Sequence, residues 1–171
     1  MTANELFSRL SAGESGDLFS WFHEQDRSGY RSCLGMLASR RKLRPVFVER
    51  KPRDERHAWM KEALARPANA DLAAEILQAW ILGPNAKMVF DFLEELKIPH
   101  DGKGIIENLP PEPPATEVNQ AVENLFKNHP SAVVMVYLNL FASMDISDWP
   151  TLKTLVSTDP RLCLDTKQQS S

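Results

Sequence analysis

Residues 69–96 read NADLAAEILQAWILGPNAKMVFDFLEEL, and this stretch decides the fold class. Leu72, Ala73, Ile76, Leu77, Trp80 and Ile81 recur at helical steps, and Met88, Val89, Phe92, Leu93 and Leu96 repeat the pattern after a Gly83-Pro84 break. Residues three and four apart share one face of an α-helix, so each run has one side to bury. Gly83 can take a left-handed stop and Pro84 can start the next helix, which predicts an antiparallel αα-hairpin over 69–98.

A second hairpin is expected over 116–145. Val118, Ala121, Val122, Leu125 and Phe126 form one arm, His129-Pro130 the corner, and Val133 to Met144 the other arm. The apolar stretch Ala132 to Ala142 is interrupted only by Asn139, so this arm should be the most buried element of the chain. Val, Met and Tyr within Val133 to Leu138 would also suit a buried strand, but the length of the pattern favours helix. At 11 residues the stretch is short of the roughly 20 that a bilayer-spanning helix needs. The two hairpins align at an offset of 46 residues, Pro84 on Pro130, Ala86 on Ala132, Trp80 on Phe126 and Ile76 on Val122. Two copies fall short of a repeat array, and the first 66 residues contain no third.

Towards the amino terminus, Thr2-Ala3-Asn4-Glu5 matches a capping box and predicts a short helix carrying Leu6, Phe7 and Leu10. Gly13 and Gly16 are expected to break it, with Ser15 capping a segment that carries Leu18, Phe19 and Phe22. Asp26 to Gly29 reads as a turn, and Tyr30 to Lys42 as a third helix ending in cations. Pro45 and Pro52 leave room for one helical turn between them, and Pro52 then starts a helix with Trp59, Met60, Ala63 and Leu64 as its stripe.

Between the hairpins, residues 99–114 contain Leu109-Pro110-Pro111-Glu112-Pro113-Pro114, an extended connector lying as a strap across the molecule's own surface. Docking of these prolines on a partner's aromatic groove is the less frequent use. A last helix is expected over 147–158, with Ser147-Asp148-Trp149-Pro150 as its start, Asp159-Pro160 as its stop, and a fraying tail over 166–171. The chain is therefore expected to be one all-α domain over 1–165, with about seven or eight helices packed as successive antiparallel hairpins after an amino-terminal group over 1–66.

At 171 residues, 43% hydrophobic and 25% charged, the composition is that of an ordinary globular chain rather than a disordered or collagen-like one. Cys33 and Cys163 are too few and too distant for a disulfide framework, and buried thiols are the expectation. Residues 1–10 lack the apolar core of a secretory signal, so a cytoplasmic location without membrane association is expected.

His23, His57, His100 and His129 form no HExxH or close pair, so no metal or other cofactor is expected. No nucleophile elbow, dinucleotide fingerprint or P-loop is present, and the reading leans away from an enzyme. The most conspicuous polar cluster is His100-Asp101-Gly102-Lys103-Gly104. There His100 could move a proton, Asp101 orient it, and Lys103 with the glycine amides receive a small anion, though Asp-Gly is first of all a turn dipeptide.

The net charge of -3 is unevenly spread. Residues 40–66 carry ten Lys or Arg against four Asp or Glu, whereas residues 85–171 carry seven against twelve. Arg40, Arg41, Lys42, Arg44, Arg50, Arg53 and Arg56 are the candidate partner-binding residues. A basic patch on an acidic chain can steer an acidic protein, or the acidic half of a second copy. The expected function is a non-catalytic protein-interaction module. The alternatives are a small-anion-binding protein or enzyme using His100, Asp101 and Lys103, and nucleic-acid binding through 40–56, disfavoured because no interleaved aromatics or recognition helix accompany the charge.

Overall fold

The computed structural model describes residues 1–144 and 148–163, and among them every regular element is helical. The all-α expectation holds. Eleven α-helices are present among the described residues: α1 (Ala3–Arg9), α2 (Ala12–Gln25), α3 (Arg27–Arg40), α4 (Pro45–Glu49), α5 (Arg53–Leu64), α6 (Ala70–Leu82), α7 (Ala86–Glu95), α8 (Ala115–Asn128), α9 (Ser131–Ala142), α10 (Pro150–Thr158) and α11 (Pro160–Cys163). They exceed the expected seven or eight partly because two, α4 and α11, are single turns. Ser147 and the tail over 166–171 lie outside the described residues.

Local chemistry explains where these helices begin, and corrects several expectations. Thr2 starts α1 through the expected capping box with Glu5, the Thr2 amide and hydroxyl lying 2.7 and 2.9 Å from Glu5 Oε2. Gly13 and Gly16 do not break the chain; they lie inside α2. The reason is a second reciprocal cap: the Glu14 amide donates to Ser11 Oγ at 3.1 Å and the Ser11 amide to Glu14 Oε2 at 2.7 Å. A cap of this kind offsets the roughly 1 kcal/mol that each interior glycine costs a helix. Ser15 is therefore interior, its hydroxyl donating back to the Ser11 carbonyl. Asp26 likewise caps α3 by accepting from the Gly29 amide at 2.9 Å, so 26–29 opens a helix instead of forming a separate turn.

Gly83 is not left-handed. The left-handed positions at helix ends are Lys42 and Lys97, each at φ 56°. Leu43 and Ile98 then donate back to the carbonyls of Ala38 and Leu93, at 2.9 and 2.8 Å, closing α3 and α7 with the same double-bonded motif. As expected of Asp159-Pro160, α10 stops at Thr158 with Asp159 as its cap, and Pro160 then occupies the first position of α11, where a missing amide proton is harmless. The ends of α6 and α7, moved by 46 residues, fall within one residue of those of α8 and α9.

The chain divides into two compact units, residues 2–80 and residues 81–171 with Met1. In the first, α5 packs on α1, α2 and α3, and α4 lies against α3. Leu6, Phe7, Leu18, Phe19, Leu34, Leu37, Met60 and Leu64 are its buried centre, with Phe7 and Phe19 stacked at 6.0 Å. Asn69 Nδ2 caps the end of α5 by donating to the Ala63 carbonyl at 2.7 Å.

In the second unit α9 is buried along nearly its whole length, as expected, and touches α8, α10 and α11. Phe92, Tyr137, Phe141 and Trp149 form a run of edge-on aromatic contacts 5.3 to 5.6 Å apart. Asn139, the polar interruption of α9, donates to the carbonyls of Met135 and Leu162 at 2.9 and 3.0 Å, which ties α11 to α9. The proline connector does lie on its own unit. Pro110 offers its carbonyl to Trp149 Nε1 at 3.0 Å, and Glu112 reaches the start of α10.

Candidate functional site

The basic corner of the first unit is built by α3, the turn after it, and α4. The structure separates its seven predicted cations into two sets. Arg40 Nη1 reaches the Ala68 carbonyl and Asn69 Oδ1, clamping the end of α5. Arg41 lies 3.5 Å from Glu62 and 5.7 Å from the centre of the Trp59 ring. Arg53 donates to the Ser20 hydroxyl, and Arg56 to the Tyr30 hydroxyl at 3.0 Å and the Glu49 carbonyl at 3.3 Å. These four arginines hold helices together.

Lys42, Arg44 and Arg50 have a different setting. Lys42 closes α3, Arg44 precedes α4, Arg50 follows it, and all three are exposed. Between them Val48 turns inward and is only 1% exposed, which leaves its neighbours facing out: Phe47 is 59% exposed, Leu43 41% and Val46 38%. One helical turn, anchored by a single inward valine, therefore presents an aromatic ring and two aliphatic side chains among cations. The sequence shows only the run Val46-Phe47-Val48; which of the three faces inward depends on how α4 lies on α3.

The His100 cluster forms one tight turn. Asp101 Oδ1 accepts from the amides of Lys103 and Ile105 at 2.8 and 3.0 Å, and these amides hold its carboxyl below the usual carboxylate range. His100 Nδ1 accepts from the Gly102 amide at 3.1 Å, and its ring stacks on Phe90 at 5.4 Å. Gly102 and Gly104 take left-handed conformations, φ 80° and 88°. A Cβ on Gly104 would stand 2.9 Å from Val89 Cγ1, so close packing and backbone both require glycine there. His100, Asp101 and Lys103 are thus brought together, but the amides of Gly102, Lys103 and Ile105 already have acceptors within the turn.

A buried polar pair lies beneath the basic corner. His57 Nε2 is 3.1 Å from the Tyr30 hydroxyl, which also receives Arg56 Nε. Arg56 can only donate to this hydroxyl, which is shared between the guanidinium and the His57 ring. Burial first, then the positive charge of Arg56 and Arg53, pushes the His57 pKa down to about 4. Burial likewise pushes the Cys33 thiol up to about 12, which leaves it without thiolate character at neutral pH. Cys163 is only half-buried, its Sγ donating to the Asp159 carbonyl at 3.1 Å.

Among the described residues no three His, Cys, Asp or Glu side chains converge as metal ligands, and no helix is long and apolar enough to cross a membrane. Comparison with protein-family models, with curated proteins and with solved structures gives no match in any of the three. Sequence reasoning missed the apolar centre of the basic corner. It also missed Arg27 and Arg31, which α3 places with His23 of α2 and Arg56 of α5 around Tyr30.

Proposed function

We propose that the chain is a cytoplasmic, non-catalytic interaction module that docks an acidic protein on the corner formed by Leu43, Arg44, Val46, Phe47 and Arg50. The observation that carries this reading is the exposure of Phe47 in the company of Leu43 and Val46, with cations on both sides. Scattered exposed aliphatics are ordinary, but an aromatic ring held out on an anchored turn has the makeup of an interface anchor. The flanking cations select for carboxylates around the apolar pocket that would receive the ring, and they speed encounter with an acidic surface.

The structure also directs the choice of variant. Reversing Arg40 or Arg53 would break helix clamps, so a lost interaction would be ambiguous. Arg44→Glu with Arg50→Glu leaves those clamps intact. The test is capture from native cytoplasm on the immobilised chain. The parent should retain an acidic protein that the double variant and Phe47→Ser both lose, with circular dichroism unchanged. An unchanged set of retained proteins would reject the corner as the interface. If the acidic partner is a second copy, sedimentation of the parent will show mass rising with concentration, and the variants will not. Retention of nucleic acid in place of protein would reject the reading.

A further inference from the structure

A cavity of about 320 Å³ opens among α2, α3 and α5 of the first unit, and its wall is cationic. Arg27 and Arg31, one turn apart on α3, stand beside Arg56 of α5 and His23 of α2, with Glu49 as the single carboxylate. The rest of the wall is Tyr30, whose ring meets His23 edge-on at 4.8 Å, and Leu34. Three guanidinium groups around so small a volume repel one another, and the helix that carries two of them gives them no relief. Arg27 is the first residue of α3, the end where the backbone dipole disfavours cations, and no acidic residue occupies that first turn. Arg31 adds a like charge at i+4. The Asp26 carboxylate just before them is engaged as the helix cap on the Gly29 amide. Among the described residues no carboxylate lies within ion-pair distance of Arg27 or Arg31, so this concentration of charge serves no internal pairing.

One side of the cavity is fixed in advance. The Tyr30 hydroxyl is held between Arg56 Nε and His57 Nε2, and Arg56 Nη1 is held by the Glu49 carbonyl. The Arg56 guanidinium is therefore oriented before any ligand arrives, while Arg27 and Arg31 are exposed and able to close over it. Guanidinium forks match the oxygens of a phosphate, and a dianion balances such a wall where a single carboxylate would leave most of it uncompensated. The volume sits at the small end of ligand pockets, enough for a phosphate and a short organic group against Tyr30 and Leu34. We propose that this cavity binds a dianionic phosphomonoester, held by Arg27, Arg31 and Arg56. The inference stands apart from the docking corner, because it uses neither Phe47 nor the cations around it.

The phosphate can come from a small metabolite or from a phosphorylated side chain of a protein, and separate probes distinguish the two. The full chain is titrated with phenyl phosphate, with a phosphoserine peptide and with the unphosphorylated peptide, following the backbone amide resonances of residues 27–34. Saturable shifts with phenyl phosphate, or with the phosphopeptide and not its unphosphorylated form, support the site and name the source. The variant Arg27→Ala with Arg31→Ala should bind at least tenfold more weakly. Without ligand it should unfold at the same or a higher temperature, since it loses a like-charge pair at the positive end of a helix; that readout separates lost binding from lost folding. Three results would overturn the assignment: equal binding by parent and double variant, benzoate binding as tightly as phenyl phosphate, or no shift with any phosphate probe at millimolar concentration.

Discussion

Glu112 accepts the backbone amide of Thr151, with its two carboxylate oxygens 3.0 and 3.1 Å from the nitrogen. Oε2 also lies 3.2 Å from the Leu152 amide. Pro150 opens α10 without an amide proton, so Thr151 and Leu152 are the first donors that the helix leaves without internal partners. A carboxylate 39 residues earlier in the chain satisfies both, at the end of the helix where negative charge is favoured. The proline connector is thereby stapled to its own unit. Glu112→Ala should destabilise the protein by about 1 kcal/mol, the usual cost of a lost cap, and Glu112→Gln by less because one acceptor remains. Urea unfolding followed by circular dichroism checks this; equal midpoints for parent and Glu112→Ala would show that the staple contributes nothing.

Tyr137 carries the opposite lesson. Its hydroxyl is buried on α9 with no hydrogen-bond partner among the described residues, and burial raises its pKa strongly. Tyr137→Phe keeps the ring contacts to Phe92 and Phe141 while removing an unsatisfied polar group, so it should stabilise the fold by about 1 kcal/mol. A lower melting temperature for this variant would contradict the packing described for the second unit.

His57 makes the first unit sensitive to acid. Its folded pKa of about 4 lies below its ordinary value of 6.5, so between those two pH values the unfolded chain binds a proton that the folded chain refuses. Stability from this group is complete above about pH 6.5 and is lost as pH falls towards 4, on the order of 3 kcal/mol in all. The imidazole resonances of His57 should titrate with a midpoint near 4. A midpoint near 6.5 would mean that the imidazole is not held neutral against Tyr30.

Gly102 and Gly104 form a matched pair. Both are left-handed, but a Cβ at Gly102 meets open space, whereas at Gly104 it meets Val89 Cγ1 and Leu82 Cδ2. Gly102→Ala should therefore cost about 1 kcal/mol from backbone strain alone, and Gly104→Ala measurably more. Comparing the two melting temperatures isolates the packing contribution. If they fall equally, the turn is not seated on α7.

Features written in adjacent residues were legible in the sequence. The corners at Pro84 and Pro130, the Thr2–Glu5 box and the buried arm containing Asn139 each depend on neighbours three or four positions away. The misreadings have a common physical origin. Gly13, Gly16 and Gly29 suggest breaks by their own propensity, yet a nearby cap outweighs it: Ser11 with Glu14, and Asp26. The split of the basic run into clamps and exposed cations was illegible for another reason. It depends on Asn69, Glu62, Ser20 and Tyr30 arriving from other helices, and no spacing within 40–56 encodes that. The outward rotation of Phe47 is set by Val48 seating itself against α3, again a tertiary choice.

The most direct measurement of the docking account is site-specific photo-crosslinking in native cytoplasm, with a photoreactive phenylalanine analogue incorporated at position 47 and, as a control, at the exposed position 117 of α8. The account predicts a covalent adduct from position 47 to an acidic protein or to a second copy of the chain. That adduct should be weakened by added salt, abolished by Arg44→Glu with Arg50→Glu, and absent from position 117. An adduct from position 117 but none from position 47, or one from position 47 that survives charge reversal unchanged, would contradict it.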